Sequence, residues 1–104
     1  MTEYQIRLKC QILANDISRR MSLPFIKVMI NQYSDQYKGE YCYQSGWIKL
    51  YQWVKGKKMT WEEIRETFYH ELAHHYQYVN NNNLKHNQKF YDTIVLLKLC
   101  TNFK

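Results

Sequence analysis

The chain reads as an α+β domain: an N-terminal helix, a three-stranded antiparallel sheet, a helix carrying two histidines one turn apart, and a C-terminal helix. Three observations predict it. Apolar residues recur at helical spacing from Thr2 to Met21, β-branched and aromatic residues crowd the stretch from Phe25 to Trp53, and a capping box at Thr60 opens a second helical pattern.

In the first helix, Ile6, Cys10, Leu13 and Ile17 alternate spacings of four and three, which places them on one buried stripe. Ser22 to Pro24 ends it, because Pro24 lacks an amide proton and biases its predecessor away from helical geometry. Phe25 to Tyr33 reads as a strand. Gly39 to Trp53 holds two further runs, GEYCY and WIKLYQW, split by Gln44-Ser45-Gly46, which predicts a hairpin. In the last run Ile48 and Leu50 point to one face while Trp47, Lys49 and Tyr51 point to the other. Lys55 to Lys58 reads as an exposed turn. Thr60-Trp61-Glu62-Glu63 matches a capping box, and the helix it opens carries its core on Trp61, Ile64, Phe68, Leu72, Tyr76 and Val79. Asn80 to Asn83 reads as a polar loop, and a last helix from near His86 to Cys100 buries Phe90, Ile94 and Leu97.

A length of 104 residues fits one domain, assigned to residues 1–104, and seventeen aromatic residues (ten Tyr, four Phe, three Trp) suffice to fill its core. The N-terminus has no uninterrupted apolar region, and no apolar run reaches membrane-spanning length, so neither secretion nor a membrane is expected. Cys10, Cys42 and Cys100 are odd in number and widely spaced. They read as free thiols in a reducing cytoplasm rather than a disulfide framework or thiolate metal site. A net charge of +6 favours an acidic partner, nucleic acid being the first candidate, although scattered lysines explain most of it.

The chemistry lies in His70-Glu71-Leu72-Ala73-His74. At about 100° per residue the two histidines lie roughly 40° apart on one side of the helix, away from the Phe68 and Leu72 stripe, so both imidazoles can hold one zinc ion. Glu71 falls too far round to ligate easily but close enough to hold a water as general base. A catalytic zinc takes a third protein ligand and leaves one position open. The pattern HExxHxxGxxH would need Gly and His where Gln77 and Asn80 stand, and no glutamate follows Glu71. His86 and Asp92 remain, and His86 is the better placed because it follows a loop and opens the last helix. His75 points about 100° away from His74 toward the core, so it reads as a packing or supporting histidine. Tyr78 is the tyrosine closest to the zinc face, with Tyr76 and Tyr91 as further hydroxyls, and none is assigned a catalytic role.

HELAHHYQ, a polar loop and HNQKFYD together resemble the SprT-like zinc metallopeptidases and the related small hydrolases of the YgjP type, in which a later His is followed four residues on by an aromatic. The resemblance implies a minimal zincin-like fold, His70, His74 and His86 as zinc ligands, Glu71 as base, and a substrate strand along the sheet edge. Two features depart from it: no four-cysteine ribbon follows, and Asn87 stands where a glycine often follows the third His. The expected activity is zinc-dependent endoproteolysis of a protein substrate, with zinc polarising the scissile carbonyl and Glu71 moving the water proton. The alternative is a non-catalytic module in which zinc pins the last two helices and the surface binds nucleic acid or a partner protein.

Overall fold

The computed structural model describes residues 1–81 and 85–102. Its elements are α1 (Glu3–Met21), β1 (Lys27–Ser34), β2 (Gly39–Cys42), β3 (Trp47–Val54), β4 (Lys57–Lys58), α2 (Trp61–Asn81) and α3 (Gln88–Asn102). Helix α1 starts at a reciprocal capping box between Thr2 and Gln5, and ends where Ser22 turns left-handed at φ 54°. Ile6, Cys10 and Ile17 are buried as the spacing requires, with Ala14 taking the fully buried place beside a half-buried Leu13. Gln11 fastens α1 to β1: its side-chain nitrogen donates to the Ile26 carbonyl, and its oxygen accepts from the Val28 amide, both at 2.8 Å.

The sheet corrects the antiparallel expectation. It is four-stranded and mixed, in the order β1-β3-β2, with the short β4 also paired to β3. The β2–β3 hairpin is antiparallel as expected, but β1 runs parallel to β3, with Val28 opposite Ile48 and Ile30 opposite Leu50. The most apolar strand has taken the centre, where both of its edges are paired and Ile48 and Leu50 become fully buried. Lys55 and Gly56 alone form the expected turn, at φ 53° and 80°, and Lys57–Lys58 return as β4. Positive φ at both turn residues matches the strand twist of a two-residue hairpin.

Helix α1 lies against β1, α2 against β2 and β3, and α3 against α2 and α1. The Thr60 capping box forms, the Glu63 amide donating to the Thr60 hydroxyl at 3.1 Å and the Thr60 amide to the Glu63 carboxylate at 3.2 Å. Ile64, Phe68 and Leu72 enter the core, each worth about 1.5–3 kcal/mol of apolar burial. Tyr76 is only half-buried, and Val79 is exposed rather than buried, because the helix outruns the sheet. The helix also continues through Asn80 and Asn81, where a loop was expected. The rest of that expected loop lies outside the described residues. Helix α3 buries Phe90 and Leu97 fully and packs Ile94 at the core's margin, beginning two residues after His86.

Candidate metal centre

His70 and His74 stand one turn apart on α2, their ring centroids 5.0 Å from each other. The segment entering α3 brings His86 against both, at 4.8 Å from the His70 ring and 4.7 Å from the His74 ring. The candidate ligand atoms of the three residues all lie within 4.8 Å of one another, and Nε2 of His86 is 2.8 Å from Nε2 of His74. Beneath them lies Phe90, fully buried, its ring 4.8, 4.6 and 4.7 Å from the rings of His70, His74 and His86. One core side chain thus supports all three imidazoles.

Local chemistry explains why His86 arrives there. Asn87 caps α3, its side-chain oxygen accepting from the Phe90 amide at 3.0 Å. A glycine has no oxygen to do this, which gives Asn87 a physical reason to stand after the histidine. Gln77, fully buried on α2 and one turn beyond His74, reaches the same segment: in the amide orientation that satisfies both its ends it donates to the Lys85 carbonyl at 3.2 Å. Farther along, the Tyr69 and Thr101 hydroxyls bond at 2.6 Å, and Lys98 pairs with Glu66 at 2.7 Å, holding α3 to α2.

Burial, then the neighbouring His70 and His86, pushes the His74 imidazole down to about 4. His70 is lowered by burial and by His86. Neutral imidazoles keep free lone pairs, and two Nε2 atoms turned toward each other can share at most one proton. Three such nitrogens on two elements match the donor set of a site that keeps one coordination place open. The residues therefore fit a metal ion. His74 Nδ1, by contrast, is buried with no hydrogen-bond partner among the described residues.

Glu71 is buried, and its carboxyl is pushed up to about 7, by burial first and by the nearby Glu40 carboxylate second. Two cavities meet at it. One, of about 470 Å³, runs past His70, Thr67 and Ile94 to residues 36–39; the other, of about 260 Å³, is lined by Tyr41, Glu71, His74 and His86. Both are walled by β2, an outer strand of the sheet. The Tyr51 amide donates to the Lys38 carbonyl, so alternation along an antiparallel pair turns the backbone groups of Gly39 and Tyr41 away from β3. At Gly39 a Cβ would sit 2.6 Å from Thr67 Cγ2, so only glycine lets β2 approach α2 this closely.

His75 is a packing histidine, as expected from its direction. It is almost fully buried, with Nδ1 2.8 Å from the Tyr41 hydroxyl and Nε2 3.2 Å from the Pro24 carbonyl. The carbonyl can only accept, so Nε2 carries the proton and Tyr41 donates to Nδ1. Asp92 is not brought to the cluster; it is exposed on α3 and accepts from Gln88. Tyr78 stacks at 4.9 Å on Tyr43, and Tyr91 is exposed, with its ring edge-on to Phe90. Tyr41, Gly39 and Gln77 escaped the sequence reading. Gln77 alone left a signal, as a polar residue seven places after His70 on the same helical face.

The fold and the three-histidine cluster define an α+β domain built around a candidate metal site. A family model described as the SprT-like family matches residues 6–100, and the chain belongs to that family, which is associated with a metallopeptidase-like fold. No curated protein and no solved structure matches the chain. No helix among the described residues is long and apolar enough to cross a membrane.

Proposed function

We propose that this chain is a zinc-dependent endopeptidase with Glu71 as its general base and His70, His74 and His86 as the metal ligands. The observation that carries this reading is Glu71 itself. A purely structural metal site needs no carboxyl beside its ligands, still less one buried where two open cavities meet. Membership of the SprT-like family supports the same reading. Zinc held by the three imidazoles supplies Lewis acidity to a substrate carbonyl and acidifies water to a pKa of about 7.

The chain's own groups do the rest. The outward amide and carbonyl groups of Gly39 and Tyr41 accept an extended polypeptide as an added strand, which draws a peptide bond past Glu71. Glu71 takes a proton from the attacking water and delivers it to the leaving amine. The substrate is therefore an unfolded or extended protein segment.

Glu71→Gln keeps the shape of the side chain and removes the base. The variant is expected to bind zinc at the wild-type stoichiometry and to lose at least about a hundredfold in turnover. Metal analysis, followed by mass spectrometry of new peptide termini in a treated lysate, measures both. Cleavage by the variant at the wild-type rate would sink the mechanism. Zinc retained by His86→Ala as tightly as by the wild type would remove the third ligand.

A further inference from the structure

One end of the groove is basic and the other is not. Beyond the 470 Å³ cavity lies another of about 360 Å³, lined by Lys38, Lys55 and Lys57 with Glu63 as the acid among them. The two cavities share Gln36 and Lys38, so one wall runs from the lysines to His70 and Glu71. At the opposite end, the cavity beside Tyr41, His74 and His86 has no lysine or arginine in its lining among the described residues.

The lysines stand on a fixed backbone. Lys55 occupies the two-residue β3–β4 turn, and its amide donates to the Ser34 carbonyl at 3.0 Å. Lys57 is paired with Val54, and the Lys38 carbonyl is held by the Tyr51 amide at 3.1 Å. Glu63 offsets only one of their three charges. One of its oxygens is occupied by the Thr60 amide and hydroxyl, both at 3.2 Å, and the other lies 4.0 Å from the Lys38 ammonium. Three cations thus face one carboxylate, which leaves the cavity with two positive charges in excess.

We infer that the Lys38, Lys55 and Lys57 cavity is a subsite for aspartate and glutamate side chains of the polypeptide lying in the groove, set to one side of the bond to be cut. The inference rests on the peptidase reading and gives it a substrate class, an acidic extended segment. A polypeptide is favoured over nucleic acid because the groove offers β2 backbone groups for strand pairing.

The test uses zinc-loaded Glu71→Gln protein and three fluorescent peptides of equal length, acidic, neutral and basic, with a single-stranded oligonucleotide beside them. Fluorescence anisotropy is expected to show the acidic peptide binding roughly tenfold tighter than the neutral one, the scale of a few exposed charge pairs. Combined Lys38→Gln, Lys55→Gln and Lys57→Gln substitutions should erase that advantage, and arginine at the same three positions should restore it. Removing equal charge at Lys9, Lys27 and Lys49, outside the groove, should spare it. Equal loss in this control set, or equal affinity for acidic and neutral peptides, overturns the inference. So does an oligonucleotide signal that follows the three lysines while peptide binding does not. The peptidase reading is scored separately, by wild-type cleavage against Glu71→Gln. If the wild type cuts, its new termini should carry acidic residues on one side only, and cleavage without that bias overturns the subsite while leaving the peptidase standing.

Discussion

His74 and His75 are neighbours in the chain and sit in opposite chemical situations. Each ring nitrogen of His75 has a partner, and those partners tie α2 to β2 and to the loop after α1. His74 has one nitrogen without a partner among the described residues and the other facing a second imidazole. An unpaired buried polar atom costs about 1–3 kcal/mol. The same helix therefore closes the fold with one face and, with the next, holds groups in an arrangement that folding alone does not favour. The difference separates a histidine whose two nitrogens both serve packing from one whose nitrogens do not.

The largest way to break this contrast is Phe90→Ala, which removes the ring under all three histidines. It should cost about 3–5 kcal/mol in chemical denaturation and abolish metal uptake. The two histidines themselves should part company. His75→Ala is expected to lose about 2–4 kcal/mol, from truncation of a buried ring and from the stranded Tyr41 hydroxyl and Pro24 carbonyl, while the chain still binds metal. His74→Ala should do the reverse, losing metal by isotope-dilution mass spectrometry while metal-free stability stays level or rises. Tyr41→Phe is a smaller probe: it leaves His75 Nδ1 unpaired and should cost about 1–2 kcal/mol with metal stoichiometry unchanged. Least of all, Lys98→Ala removes a half-exposed pair with Glu66 and should shift stability by less than about 1 kcal/mol.

The sequence revealed what is local. Thr60 and Glu63 are three residues apart, His70 and His74 four, and the β2–β3 hairpin closes over a short turn, so each is written in spacing alone. His86 could be reached by elimination because few alternative ligands follow the motif. The pairing of β1 with β3 is a different kind of fact. Strand direction depends on which edge a distant segment finds, and nothing in the alternation of FIKVMINQY distinguishes a parallel from an antiparallel neighbour. Tyr41 was illegible for the same reason: its partner lies 34 residues away, on a helix whose approach depends on the missing side chain of Gly39. Val79 failed in another way. Its spacing is that of a core residue, but the helix has by then passed beyond the sheet.

Phe90 has one more consequence. Its ring belongs to the hydrophobic core and also to the three-histidine cluster, so the docking of α3 and the arrival of the third imidazole are one event. Helices can open locally while the rest of a protein stays folded. If α3 lets go, His86 leaves with it, and the remaining two histidines no longer form the three-histidine cluster. Opening of α3 therefore dismantles the candidate metal site even where the sheet and the first two helices stay folded.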